Sequence, residues 1–89
     1  MTLGNLYGTR EIDSLMQKNN QFRKEVNKAI SKFINNDWGD TCPEDALLNN
    51  LALDTCERIV AVYKTCKGLI WIISEHDRQS TTILFPSEY

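Results

Sequence analysis

Arg58-Ile59-Val60-Ala61-Val62-Tyr63, Leu69-Ile70-Trp71-Ile72-Ile73-Ser74 and Thr81-Thr82-Ile83-Leu84-Phe85 follow one another in the last third of this 89-residue chain. Each run is rich in the β-branched and aromatic side chains that fit a pleated, half-buried surface, which predicts three consecutive strands. Lys64 to Gly68 is short enough for a hairpin loop, with Gly68 free to take a positive φ. Glu75 to Ser80 is a polar turn, and Pro86 stops the last strand because it has no N–H to donate. Short connections of this kind favour an antiparallel meander over about residues 57–86. The middle strand is apolar on both faces, with Leu69, Trp71 and Ile73 opposite Ile70 and Ile72, so both faces of the sheet need cover. We expect helices on one face and the N-terminal segment or a partner chain on the other.

Upstream, the period changes to that of helices. Thr9 precedes Arg10 to Met16, where Ile12, Leu15 and Met16 fall at i, i+3, i+4 and Glu11 and Asp13 sit near the positive end of the helix dipole. Asn19-Asn20 interrupts and can cap a second helix, whose apolar stripe is Phe22, Val26, Ala29, Ile30, Phe33 and Ile34. Lys24, Lys28 and Lys32 line its opposite side. Asn35 to Asp40 ends it, since Asn tolerates a left-handed cap and Gly39 a sharp change of direction. Thr41-Cys42-Pro43-Glu44 has the spacing of a capping box with Pro in the first turn, which predicts a third helix over about Pro43 to Asp54. Its expected buried side chains are Leu47, Leu48 and Leu51, with Ala52 or Leu53 beside them. The fold class is therefore α+β: one domain over residues 1–89, with about three N-terminal helices (about 9–55) packed on a three-stranded antiparallel meander (about 57–86).

Ten Lys and Arg against twelve Asp and Glu leave a formal charge of −2. That balance excludes a strongly basic nucleic-acid-binding chain and a wholesale acidic mimic of DNA. No apolar run exceeds the five residues Leu69 to Ile73, far below the ~20 of a membrane helix. The start, Met-Thr-Leu-Gly-Asn, lacks the basic and apolar regions of a secretory signal, so we expect a cytoplasmic protein without a membrane partner. Cys42, Cys56 and Cys66 have no C-x-x-C spacing and there is a single His76, so the expectation is reduced thiols behaving as small semi-buried side chains, with no metal and no cofactor. No nucleophile motif or Gly-rich phosphate loop occurs, which argues against an enzyme.

Glu75-His76-Asp77-Arg78 is the densest polar cluster. A carboxylate pair beside the sole His suits proton transfer, but Asp in a tight connection more often accepts backbone N–H groups, which favours a structural turn or a partner-binding loop over catalysis. Trp71, mid-strand, belongs to the core or to a subunit contact. Trp38, in Asp37-Trp38-Gly39-Asp40, either plugs the core edge, as a small domain's need for aromatic area favours, or anchors a partner.

The stretch Ile70-Trp71-Ile72-Ile73-Ser74-Glu75-His76-Asp77-Arg78-Gln79-Ser80-Thr81-Thr82-Ile83-Leu84-Phe85-Pro86-Ser87-Glu88-Tyr89 resembles the ending of a family of short bacterial proteins met on plasmids, phages and other mobile elements, with the pattern I-W-I-I-T-E-x-D-R-S-x-T-T-I-L-x-P-x-E-Y. The likeness extends upstream through Asp37-Trp38-Gly39-Asp40, Glu44-Asp45, Asn49 and Glu57-Arg58. It departs at Ser74 (Thr in the pattern), His76 (a small residue), Gln79 (Ser) and Cys56, where the pattern has a Gly ending the third helix. Some members carry restriction-modification labels.

What the resemblance implies, with the small size and the missing catalytic motif, is a non-enzymatic accessory protein of a mobile element. It would bind and modulate a host protein, as an inhibitor of a defence system of the CRISPR or restriction type. The alternative is a nucleic-acid-binding regulator using the Lys24, Lys28 and Lys32 face, although direct nucleic-acid binding is not what the charge balance favours. A homodimer through the strand face is compatible with both. The expected partner-binding residues are Asp37, Trp38, Asp40, Glu44, Asp45, Glu75, Asp77 and Arg78. Charge by segment supports that choice: residues 37–57 carry six acidic side chains and no basic one, whereas residues 1–36 carry six basic and three acidic. A basic partner, such as a nucleic-acid-handling defence complex, fits that acidic stretch.

Overall fold

Ile59, Ala61 and Tyr63 alternate with Val60 and Val62, and in the computed structural model, which describes all 89 residues, that alternation builds the first meander strand, β2 (Ile59–Thr65). Strand β3 (Gly68–Ser74) pairs antiparallel with it, Ile59 opposite Ser74 and Thr65 opposite Gly68, so the turn is the two residues Cys66-Lys67. Strand β4 (Ser80–Leu84) pairs antiparallel with β3, Ser74 opposite Thr81 and Trp71 opposite Leu84. The meander is thus present, but the sheet has a fourth strand: β1 (Asn5–Gly8) joins β4 in parallel, giving the order β1-β4-β3-β2. A mixed four-stranded sheet replaces the purely antiparallel three-stranded one. Two glycines flanking three exposed side chains carry no alternating apolar signal, which is why this strand is not legible as one. Gly4 marks it instead. At φ +62° its Cα lies so close to the Arg78 and Gln79 carbonyls that a Cβ would sit 2.5 Å from each.

Helix α1 (Arg10–Lys18) starts at Thr9, whose hydroxyl accepts from the Ile12 N–H, and α2 (Asn20–Ile34) starts at Asn19, whose side chain accepts from the Phe22 N–H at 2.9 Å. Both lie on the face of the sheet that presents Ile59, Ala61, Ile70, Ile72 and Ile83. Ile12, Phe22, Val26, Ala29 and Phe33 are buried against it. Stacking of Phe22 on Phe85, centroids 6.0 Å apart, closes one end. The Glu25 carboxylate on α2 accepts from the Cys66 N–H at 2.8 Å, tying the hairpin tip to the helix; that bond holds Glu25 below the ordinary carboxylate range.

The opposite face is covered by neither the N-terminal segment nor a helix. A short 3-10 turn (Pro86–Glu88) folds the chain back so that Tyr89 meets Trp71 edge-on, centroids 5.3 Å apart. The Arg58 guanidinium lies 5.3 Å from the Tyr89 ring centre and donates to its hydroxyl at 2.6 Å. Ile73 and Leu84 are buried there, whereas Val60, Val62 and Trp71 stay half exposed and Leu69 is exposed.

Helix α3 (Pro43–Thr55) occupies the edge of the sheet, alongside β2. Thr41 does not cap it. Cys42 is the N-cap residue, with no side-chain hydrogen bond, because the Thr41 hydroxyl is used elsewhere: it accepts from Val62 N at 2.8 Å and donates to Trp38 O. The helix ends on Cys56 at φ +56°, ψ 40°, a left-handed cap held by a β-substituted residue where glycine would be unstrained. The three cysteines are exposed rather than semi-buried.

Candidate protein-binding surface

Between Asp37 and Asn49, three residues (Asp40, Thr41 and Asn49) bond the outer edge of β2. An edge strand offers a row of unpaired N–H and C=O groups to any other chain. Here Asp40 N donates to Val62 O (2.8 Å), and the Thr41 hydroxyl takes the Val62 N–H. Asp40 Oδ2 takes the Lys64 N–H (2.9 Å). Asn49 uses its carboxamide as a strand would use its backbone, donating to Val60 O at 2.9 Å and accepting from Val60 N at 3.3 Å. It is the one buried side chain of α3 besides Ala52.

This attachment determines which way α3 turns its leucines. With Asn49 and Ala52 against the sheet edge, and Ala46 and Leu53 partly buried beside them, Leu47, Leu48 and Leu51 point to solvent, 60%, 61% and 53% exposed. The expectation that these three are core is wrong. Tertiary hydrogen bonding to a strand edge selected a smaller, more polar stripe at helical spacing, Ala46, Asn49, Ala52 and Leu53. Leu48 joins the half-exposed outer face of the sheet, Leu51 lies beyond it along the helix, and Leu47 faces away from the sheet. Leu48, Val60, Val62 and Trp71 line a groove of about 360 Å³ together with Asp45, Asn49 and Arg58. A second depression, of about 340 Å³, shares Leu48 and Arg58 and continues past Leu51 to Thr55 and Glu57. The two depressions are apolar at the floor and carry Asp45, Glu57 and Arg58 at the rim.

The residues expected to bind a partner divide into fastenings and rim. Trp38 is 6% exposed, packs edge-on to Phe33 with centroids 5.5 Å apart and donates its indole N–H to Asn50 at 2.8 Å. It plugs the core, so its burial is a correction to its place in the contact set. Asp37 folds its own loop, accepting from Gly39 N, while its carbonyl takes the Tyr63 hydroxyl at 2.8 Å. Gly39, at φ +61°, lets the backbone graze the Tyr63 ring, where a Cβ would come within 2.3 Å. Arg78 is a pin. At φ +58° its guanidinium reaches three carbonyls, Glu57 O (2.7 Å), Glu75 O (2.8 Å) and Ala52 O (2.9 Å), closing the end of α3. Asp77 accepts from Gln79 N, as a turn aspartate does.

Glu44 and Asp45 are exposed at the start of α3, and Asp54 and Glu57 at its end. None is in an ion pair. The chain's single pair joins Arg58 to Glu75 at 3.5 Å, so the one cation bordering the groove is already engaged. His76 is exposed, and no group of three His, Cys, Asp or Glu side chains is placed to hold a metal ion. No helix is long and apolar enough to cross a membrane. Neither a family model, nor a curated protein, nor a solved structure matches the chain.

Proposed function

We propose that this chain is a small non-enzymatic accessory protein of a mobile genetic element that binds and modulates a host protein, acting as an inhibitor of a defence system of the CRISPR or restriction type. The observation that carries the binding part is the exposed trio Leu47, Leu48 and Leu51 beside a half-open apolar sheet face, ringed by unpaired carboxylates. Leucines scattered singly on a surface need no explanation. Three on one helix, two of them lining apolar depressions, do. The mobile-element part rests on the resemblance of residues 70–89 to plasmid and phage proteins, and inhibition is the activity open to a domain that recognises proteins without a catalytic constellation.

The test is relief of defence in cells. Expression of the protein in hosts with an active CRISPR or restriction system should raise phage plating or plasmid transformation at least tenfold, and Leu47→Asp with Leu51→Asp, still folded by circular dichroism, should not. The proposal fails if the protein gives no relief against any such system, or if the double variant is as active.

A second reading has one observation in its favour. Lys28, Lys32 and Lys64 surround a shallow depression, as phosphate-binding side chains would. Glu25 and Asp40 stand in the same depression, both accepting backbone N–H groups, and break the positive stripe. A salt-sensitive mobility shift with duplex or single-stranded nucleic acid, lost in Lys28→Glu with Lys32→Glu, would favour this reading; no shift at low salt is what we expect.

A further inference from the structure

Resting on the reading of α3 as a protein-binding face, we infer that the groove beside it receives one basic amphipathic helix of the partner, lying alongside α3. Three observations lead there.

The first is what the groove cannot take. Extended peptides bind sheets by adding a strand to an open edge. Along the β2 edge that borders the groove, the N–H and C=O of Val60 and of Val62 and the N–H of Lys64 are already bonded to Asn49, Asp40 and Thr41. No backbone ladder is on offer, so the occupant must satisfy its own backbone, as a helix does.

The second is size. The floor runs over β2 and β3, from Val60 and Val62 to Trp71, with Leu48 as the wall. Two strands span about 10 Å at the usual ~4.8 Å spacing, and that is the width of one α-helix. The 13 residues of α3 make a wall of about 20 Å at 1.5 Å per residue, room for three to four turns of a neighbour. Side chains at i, i+3, i+4 and i+7 of that neighbour would meet Leu48 and Leu51 on one side and Trp71 on the other.

The third is charge. Glu44 and Asp45 at one end of the wall and Asp54 and Glu57 at the other lack any cation within ion-pair distance, and α3 carries no Lys or Arg. Arg58 is held by Glu75 and Tyr89. A second copy of this chain docked through α3 would bring acids against acids in either orientation. Lys and Arg flanking an apolar stripe are the complement, and they would also speed encounter at low salt.

Intrinsic fluorescence can test this. Trp38 is buried and Trp71 lies in the groove floor, so Trp38→Phe leaves one reporter at the site. The probes are two synthetic 14-residue helices with the same Leu stripe, one with Lys and one with Glu at every other position. The Lys peptide is expected to shift Trp71 emission with a Kd at least tenfold tighter than the Glu peptide, to weaken as NaCl rises from 50 to 500 mM, and to lose binding with Leu48→Asp. Asp45→Asn with Asp54→Asn should weaken it several-fold. If Trp38→Phe does not fold, the two indole N–H resonances of the wild-type protein serve instead, with only Trp71 expected to move.

Equal binding of the two peptides, or none by either, overturns the inference. So does a dimer in sedimentation equilibrium that Leu48→Asp abolishes, since a second copy would then be the occupant. Defence relief that needs Leu47 and Leu51 while the peptides show no preference leaves the protein-binding reading standing and removes the helix. Selective Lys-peptide binding without any relief leaves the helix-binding face standing and removes the inhibition of a defence system.

Discussion

Replacing Asn49 by leucine keeps the branching of the side chain and adds apolar surface, yet it should destabilise the protein. The Asn49 carboxamide is 5% exposed and makes two bonds, both to Val60, at 2.9 and 3.3 Å. Leucine restores neither, and it leaves a backbone N–H and C=O facing an apolar side chain. An orphaned buried group costs about 1–3 kcal/mol, and the longer of the two bonds is the weaker, so the expected loss is about 2–4 kcal/mol for Asn49→Leu and for Asn49→Ala alike. At ~0.05–0.15 kcal/mol per residue, a chain of this size has about 4–13 kcal/mol in total, so the change removes a large share. With ~2.1 cal/mol/K per residue of unfolding entropy, a loss of about 3 kcal/mol lowers Tm by about 15 °C.

Chemical denaturation would read this as a lower midpoint at unchanged slope. Hydrogen exchange would show the Val60 amide losing protection before the Ile72 and Ile83 amides. Asn50→Ala is the control, removing the one bond to the Trp38 indole for about 1 kcal/mol. A leucine variant as stable as the parent, with Val60 still protected, would refute the account of Asn49 as the residue that closes the sheet edge. The exposed edge in a destabilised variant would run through Ile59 to Tyr63, a β-prone stretch, so light scattering should rise together with the loss of stability.

Three further changes have defined outcomes. Cys56→Gly should raise stability by about 0.5–1 kcal/mol in thermal melts, because relief of the left-handed strain exceeds the backbone entropy that glycine adds to the unfolded chain; no change would mean that the cap is not strained. Arg78→Lys keeps the charge but loses the fork that reaches three carbonyls, and should cost about 1–2 kcal/mol by urea denaturation, with a larger loss for Arg78→Ala. Tyr63, its hydroxyl donating to Asp37 O, is held well above the ordinary tyrosine value by burial and then by the Asp37 charge. The unfolded chain releases that proton near pH 10 and the folded chain only higher. Tyr63 therefore contributes stability that is present in full below pH 10 and falls as pH rises beyond it, by at most about 1.4 kcal/mol per pH unit. Tyr63→Phe should flatten that part of the alkaline unfolding curve while costing about 1 kcal/mol at neutral pH.

The meander and the caps at Thr9 and Asn19 were legible because each is a local matter. Period and cap chemistry are properties of a few consecutive residues. Strand β1 was not, because its pairing partner lies more than seventy residues away and its own four residues carry no pattern. Glu75, Asp77 and Arg78 drew attention as a polar cluster, but their roles depend on α3 ending beneath the turn, which no local rule foretells. The reversal of α3 is the instructive case. Leu47, Leu48 and Leu51 have the stronger apolar signal, and burying them would have been worth about 1.5–3 kcal/mol each. Doing so would turn Asn49 away from β2 and leave the Val60 groups unpaired at a strand edge, where Asp40 and Thr41 already hold the chain in register. One rotation of a helix cannot satisfy both. The edge was closed with polar groups and the leucines were left outside, so the need that fixes α3 to the sheet is also what creates the apolar surface proposed to meet a partner.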